Sequence, residues 1–197
     1  IITGVTTVNV DVEGIEAPGI PCVTKCPKAF VHNASQMNER IHAYGTKIFL
    51  QMTANAGRST MPGMVKNMIA PSAQGNRFDP SVQHREMKKE EIAQYTKDFV
   101  KGAMIAKRAG FDGVEIHAVH EGYLLDQFAI AIYNHREDEY GGSLENRLRF
   151  ATEYCEGIKK ACGQDFPVSL RFSLKSCMKA LRQGGLPGEE YEEVRSD

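Results

Sequence analysis

Apolar residues recur along the chain in two patterns, as short runs and as longer stretches with helical spacing. The short runs predict four strands, at residues 1–5, 47–52, 114–116 and 167–172. The longer stretches predict three helices, at about residues 33–44, 89–109 and 143–162. Strands that alternate with helices in this way predict an α/β fold whose parallel sheet has helical crossovers.

The predicted connections differ in length at the two ends of the strands. Long segments, residues 53–87 and 118–142, follow two of the strands, whereas the returns from helix to strand are short. This asymmetry places function at the carboxyl ends of the strands. The first segment carries Met61, Met64 and Met68, which either line an apolar substrate channel or pin the segment to the core.

Two architectures have this order of elements, a (β/α)₈ barrel and an open doubly wound sheet. No Gly-x-Gly-x-x-Gly motif follows a predicted strand, which argues against a dinucleotide-binding sheet of the second type. Four strands make half of an eight-stranded barrel. The chain opens on Ile1 and Ile2 without a methionine, so we expect it to be part of a longer protein.

Composition narrows the class of protein without identifying it. The chain is 42% hydrophobic and 25% charged, which is ordinary for a globular domain, and no apolar run is long enough to cross a membrane. A formal net charge of −1 argues against nucleic-acid binding. The five cysteines are odd in number and widely spaced, which favours the reducing cytoplasm. Cys22 and Cys26 remain open as a pair of metal ligands.

Three polar side chains follow the strand predicted at residues 114–116: His117, His120 and Tyr123. At the carboxyl end of a parallel strand, such side chains are candidates for catalysis. Other interpretations stay open, because a histidine there can satisfy backbone groups and His-x-x-His is a weak zinc signal without a third ligand. Tyr123 can equally be a packed residue with a tethered hydroxyl group.

Three longer segments carry a resemblance to a known family. They are residues 110–117 (GFDGVEIH), 122–128 (GYLLDQF) and 138–147 (DEYGGSLENR). They resemble the Old Yellow Enzyme family of NADH:flavin oxidoreductases, in its branch of 2,4-dienoyl-CoA reductases and 2-enoate reductases. Residues 117–123 (HAVHEGY) and 173–189 look most like the bile-acid-inducible 3-oxo-4-ene CoA oxidoreductases, or 4-desaturases. The resemblance covers nearly the whole chain.

The resemblance implies a partial TIM (β/α)₈ barrel, in which residues 1–197 supply roughly strands 2 to 5 of an incomplete FMN-binding domain. It implies FMN as the cofactor and NADH as the electron donor or acceptor. Relatives of this branch often carry FAD and an iron–sulfur cluster, neither of which is visible here. The partner implied is a small enone or enoyl-CoA, and a homo-oligomer is compatible with the family.

The resemblance also implies a role for each candidate side chain. His117 and His120 would bind the substrate carbonyl oxygen, and Tyr123 would donate a proton to the alkene. Gln51 would meet the pyrimidine edge of the flavin, and Arg171 would face flavin N1 and O2. For Arg171 a buried ion pair inside the barrel is the alternative interpretation.

One departure from the family pattern concerns residues 51–58 (QMTANAGR). The histidine usual before Gly57-Arg58 is replaced, which leaves any role for Arg58 in doubt.

These observations lead to one principal hypothesis and two rivals. The principal hypothesis is an FMN-dependent oxidoreductase that reduces, or introduces, a C=C bond conjugated to a carbonyl group, with no metal site. The first rival is a metal-dependent barrel hydrolase that uses His117 and His120. The second is an inactive fragment, and we expect the chain by itself to lack activity. The exact substrate, the direction of reaction and the choice of NADH or NADPH stay open.

Overall fold

The computed structural model describes residues 1–15, 19–119 and 123–173, which form strands joined by helices. In chain order the elements are β1 (Thr6–Thr7), α1 (Pro27–His42), β2 (Phe49–Thr53), a 3₁₀ turn (Gly57–Ser59), β3 (Ile69–Ala70), β4 (Gln74–Gly75), β5 (Gln83–Glu86), α2 (Lys89–Arg108), β6 (Gly113–Ala118), α3 (Leu124–Ala129), α4 (Leu144–Cys162) and β7 (Val168–Phe172). None of the described helices is both long and apolar enough to span a bilayer.

Four parallel strands form the main sheet, in the spatial order β1-β2-β6-β7. Each is joined to the next by a segment that contains a helix, as the alternation of patterns predicts. The predicted α/β class is therefore confirmed. The first strand is shifted, because regular pairing begins at Thr6 and Ile2 makes only an isolated bridge to Phe49.

The two faces of the sheet differ in chemistry because successive side chains point to opposite faces. One face carries Leu50, Met52, Val114 and Ile116, all at most 2% exposed and packed in the hydrophobic core with the helices. The opposite face, called here the inner face, carries a polar set. Its members are Gln51, Thr53, Glu115, His117, Ser169 and Arg171.

Helices α2 and α4 pack closely against each other on the apolar side. The rings of Phe99 and Tyr154 stack with centroids 4.7 Å apart. Gly157 allows this approach, since a Cβ atom there would lie 2.7 Å from a methyl group of Val100. Such aromatic pairs stabilise a core beyond the area they bury.

The helix predicted at residues 143–162 exists, but part of its predicted apolar stripe is wrong. Ser143 caps the helix by accepting the backbone N–H of Asn146 at 3.3 Å. Leu144 and Leu148 share the helical spacing of the buried residues Ile158 and Cys162, yet they are 58% and 39% exposed. The larger Phe150 and Tyr154 take the buried face instead, because their rings complete the aromatic cluster.

Two further expectations about local structure were incomplete. Helix α1 begins at Pro27, earlier than predicted, because proline suits the first helical turn, where no N–H donor is needed. The long segment at residues 53–87 contains a small sheet in which β5 pairs with both β3 and β4. His84 of this sheet is buried between Asn76 and the carbonyl oxygen of Ile69.

Asp112, just before β6, anchors the end of the sheet opposite the candidate site. Its carboxylate accepts bonds from Lys47 Nζ at 2.8 Å, from the backbone N–H of Ile48 at 2.9 Å and from the ring of His42 at 2.7 Å. Burial acts to raise the pKa of Asp112, but these bonds outweigh it and lower the pKa to about 2.

Candidate active site

His117 and Tyr123 meet at the carboxyl end of β6. His117 is the fifth residue of the strand and is 3% exposed, while Tyr123 directly precedes α3. Their rings meet edge to face, with centroids 4.3 Å apart and planes at 70°. The structure therefore brings together two of the three residues predicted for catalysis. His120, the third, lies outside the described residues.

The position of Tyr123 is set by contacts between neighbouring strand ends. The backbone N–H of Leu124 donates to the carbonyl oxygen of Asn55 at 3.0 Å, and the hydroxyl group of Thr53 reaches the carbonyl oxygen of His117 at 3.4 Å. These bonds tie the end of β2 to the end of β6 and to the start of α3. The tyrosine ring is thus held next to the histidine ring.

Gln51 lies on the inner face of β2, buried and directly opposite Glu115 of β6. Its Nε2 donates to Glu115 Oε1 at 2.6 Å. That bond fixes the orientation of the amide, and it uses neither the second N–H nor the carbonyl oxygen. Gln51 can therefore present both a donor and an acceptor to a flat heterocycle. Sequence reasoning missed Glu115 because its role appears only when the strands pair.

Arg171 lies on β7, in register with His117 of β6. Its side chain is exposed, since β7 is the edge strand of the described sheet. The structure shows no ion pair for Arg171 within the described residues. A guanidinium group on the inner face, next to His117, is suited to an anionic or electron-rich ligand edge.

Arg58 lies in the 3₁₀ turn that follows β2. Its guanidinium carbon lies 4.5 Å from the ring centroid of Tyr133, a cation–π geometry, and the side chain is 9% exposed. Its backbone N–H donates to Gln127 Oε1 at 3.0 Å. These contacts hold Arg58 in the turn after β2.

Asn55, which precedes this turn, is the centre of a buried polar network. It has a left-handed backbone with φ of 61°, a conformation that asparagine tolerates better than most residues. Its Nδ2 donates to Tyr95 Oη and to the carbonyl oxygen of Asn9, both at 2.9 Å, and its Oδ1 accepts from the hydroxyl group of Thr7. Sequence reasoning missed this network.

A cavity of about 340 Å³ opens beside the strand ends. Apolar side chains form most of its wall, including those of Ile15, Met61 and Met64. Polar residues also line it, namely Thr7, Glu13, Thr53, Asn55, Ser59, Thr60 and Tyr123. An apolar cavity with a few polar groups is the usual form of a small-molecule site. Met61 and Met64 thus line a cavity, one of the two roles considered from the sequence, whereas Met68 is not part of its wall.

Glu13 is the unexpected member of this lining. It follows β1 outside any helix or regular strand, yet its side chain is 1% exposed. Burial raises the pKa of Glu13 to about 8, with the backbone N–H of Gly57 and the amide of Asn55 opposing the shift only in part. The carboxyl group therefore carries its proton at neutral pH.

The described residues contain no group of three or more His, Cys, Asp and Glu side chains that could hold a metal ion. Cys22 and Cys26, considered as a metal pair, have free thiols. The part of the chain that the structure describes therefore offers no ligand set to the hydrolase alternative.

Comparison with known proteins agrees with this geometry. Residues 1–186 match the NADH:flavin oxidoreductase / NADH oxidase family. The chain belongs to this family. Its predicted relationship to Old Yellow Enzyme is confirmed as well, because the Old Yellow Enzyme homologue of Zymomonas mobilis superimposes with a TM-score of 0.71 at 33% identity. That alignment covers 87% of this chain and 49% of the other.

This member of the NADH:flavin oxidoreductase family also has close relatives by sequence. It is 58% identical to cinnamate reductase of Clostridium sporogenes over 198 residues, which is all of this chain and 30% of that protein. It is 37% identical to NADH oxidase of Thermoanaerobacter brockii, over 94% of this chain and 28% of that protein. The chain thus spans less than a third of the length of these two relatives.

The structural similarity confirms the predicted fold, a partial TIM (β/α)₈ barrel. The carboxyl ends of β2 and β6, where Gln51, His117 and Tyr123 lie, correspond to the end of such a barrel that carries active sites.

Proposed function

We propose that this chain is part of an FMN-dependent, NADH-linked enoate reductase, which reduces a C=C bond conjugated to a carboxylate or related carbonyl group. The observation that carries the proposal is the edge-to-face pair of His117 and Tyr123 at the strand ends, with Tyr123 lining the cavity. The 58% identity to a cinnamate reductase supports the choice of an enoate as substrate.

The residues present fit FMN, the cofactor that the family implies. Gln51 offers a fixed amide on the inner face, and Arg171 offers a guanidinium group on the same face two strands away. We infer that Gln51 binds the pyrimidine edge of the ring system and that Arg171 binds where negative charge collects on reduction. FMN, when bound, supplies the hydride for the reaction.

His117 is proposed to bind the substrate carbonyl oxygen, together with His120 as the resemblance implies. A hydrogen bond to that oxygen becomes stronger as the oxygen gains negative charge, so it lowers the barrier. The 3% exposure of His117 increases the effect, since little water competes for the same oxygen.

Tyr123 is proposed to deliver a proton to the α-carbon of the alkene. A phenol O–H group is a hydrogen-bond donor and can act as a general acid. The edge-to-face contact with His117 and the backbone bond at Leu124 hold the phenol in place. Such positioning is what a proton donor needs.

Further parts of the proposal concern the complete protein. We propose that residues 1–197 contribute about strands 2 to 5 of its FMN-binding barrel, and that it works in the cytoplasm, with a homo-oligomer compatible. A 3-oxo-4-ene bile-acid CoA is kept as a second substrate type, on the resemblance of residues 117–123 and 173–189. FAD and an iron–sulfur cluster belong to the proposal only as parts of a longer chain.

The test uses the complete protein under anaerobic conditions. NADH should bleach the visible flavin band, and cinnamate, a simple enone or an enoyl-CoA should then restore it with formation of the saturated product. Saturated phenylpropanoate serves as the matched control and should leave the flavin reduced. A protein that purifies with stoichiometric zinc and no flavin, or whose reduced flavin no alkene reoxidises, would refute the proposal.

A further inference from the structure

Glu13 combines complete burial with a lack of partners. Its side chain is 1% exposed, and neither carboxyl oxygen has a hydrogen-bond partner of normal geometry, although the Gly57 N–H and the Asn55 amide lie nearby. Acidic side chains are almost never fully buried unless they are paired. A buried polar group without a partner destabilises the fold. Such a group calls for an explanation beyond packing.

Glu13 also lines the cavity, and a hydrogen-bond partner for its carboxyl group can lie there. Glu13 lines the same cavity as Tyr123, the proposed proton donor, and as the apolar residues Met61 and Met64. A ligand with an apolar body and one polar end would match this wall. Its body would contact the methionines, and its polar end would meet the carboxyl group of Glu13.

Within the described residues, burial and two neutral groups, the Gly57 N–H and the Asn55 amide, set the pKa of Glu13, and no cation contributes to it. Helix α2 presents Tyr95, whose pKa is raised well above 10 by burial first and then by Glu13. Asp98 lies on the same helix and adds negative charge near that tyrosine. Arg58, in the turn after β2, has its guanidinium group over the ring of Tyr133. The backbone N–H of Lys66 donates to the carbonyl oxygen of Gly14.

We propose that Glu13 is a substrate-binding residue, and that its protonated carboxyl group donates a hydrogen bond to a carboxylate oxygen of the enoate. This inference rests on the proposed function and adds a residue that distinguishes acids from their neutral analogues. A neutral carboxyl group is a donor to an anion, whereas its ionised form repels the same anion. Affinity for a carboxylate should therefore fall as Glu13 loses its proton.

The first measurement compares two probes on the oxidised complete protein between pH 6.5 and 9.5. Dissociation constants of cinnamate and cinnamamide are determined by calorimetry. The cinnamate constant should rise about ten-fold for each pH unit above about 8, while the cinnamamide constant stays level, since the ionised form of Glu13 repels only the anion. Equal pH dependence for the two probes, or no binding of cinnamate at all, would overturn the assignment.

Glu13→Gln is the decisive variant because its amide keeps a donor and nearly the same shape but cannot ionise. At pH 7 its affinity for cinnamate should stay within about three-fold of the parent, and the rise above pH 8 should disappear. Glu90→Gln, an exposed change on α2, is the matched control and should keep the parent profile.

The possible failures can be told apart. If Glu13→Gln retains the parent pH profile, Glu13 does not bind the substrate, while enoate reduction itself can still be seen by flavin reoxidation. If no alkene reoxidises the reduced flavin in the parent protein, the proposed function fails first.

Discussion

Replacement of Gly57 by alanine should destabilise the turn that carries the end of β2 into the cavity wall. Gly57 has a φ of +51°, a region that disfavours a Cβ atom by about 1–2 kcal/mol. The added Cβ would also lie 2.4 Å from Gln127 Oε1, so the amide of Gln127 would have to move. Gln127 is fully buried, which leaves it little space to do so.

The expected loss of stability follows from the hydrogen bonds that would break if the amide of Gln127 moved. Gln127 accepts the backbone N–H of Arg58 at 3.0 Å and donates to the carbonyl oxygen of Ala56 at 3.0 Å. Loss of two buried hydrogen bonds adds about 2–3 kcal/mol to the cost of placing a Cβ atom at a positive φ. We expect the free energy of unfolding to fall by about 3–5 kcal/mol in Gly57→Ala.

Urea unfolding of the complete protein, followed by circular dichroism, measures this loss. Gly142→Ala is the matched control, because Gly142 has a φ of +79° but no heavy atom within 4 Å of the point where an alanine Cβ would lie. Its free energy of unfolding should fall only by the cost of a Cβ atom at a positive φ, about 1–2 kcal/mol. Equal losses in the two variants, within about 0.5 kcal/mol, would show that the contact with Gln127 contributes nothing.

Four further predictions concern chemistry, cofactor binding and pH. Tyr123→Phe should keep its flavin and its ring contact with His117 but lower alkene turnover by about 10²–10⁴-fold in single-turnover assays; unchanged turnover removes Tyr123 from the mechanism. Arg171→Met should weaken FMN binding about ten-fold or more by fluorescence titration, and Arg171→Lys less; equal affinity in all three proteins contradicts the assigned contact. Asp112→Asn should lose about 1 kcal/mol of stability at pH 7, after allowance for solvent screening. Because the pKa of Asp112 is lowered from 3.8 to about 2, that difference should shrink in urea titrations as pH falls through this window. Glu13→Gln should gain stability over the parent as pH rises from about 4.5 to 8, since the raised pKa means that folding opposes ionisation there; a constant difference refutes this.

The sequence was sufficient for the features that depend on local pattern. Short apolar runs that alternate with stretches of helical spacing predicted the parallel strands. The position of His117 directly after the run at residues 114–116 predicted that its side chain lies at the carboxyl end of that strand. Helical spacing predicted a helix from about residue 143, which is where the structure has the capping Ser143. The motif around Tyr123 predicted the cluster that the structure shows, although its catalytic role stays a prediction.

Features that depend on contacts distant in sequence could not be predicted in this way. Glu13 lies in a polar segment, and its burial results from packing against the segment that follows β2, about 40 residues or more along the chain. Asn55 looks like an ordinary loop residue until its bonds to Thr7 and Tyr95 are seen. Leu144 and Leu148 have helical spacing, yet larger aromatic residues on the same helix take the core positions.

The small sheet of β3, β4 and β5 supports the part of the cavity wall that contains Met61 and Met64. These two side chains project from a short connection between the 3₁₀ turn and β3, apart from the strands that carry Gln51 and His117. Under the proposed function, the contacts that Met61 and Met64 make with the substrate therefore come from a different stretch of the gene than Gln51 and His117. Variation of the two methionines would then change the space for the substrate without altering either residue.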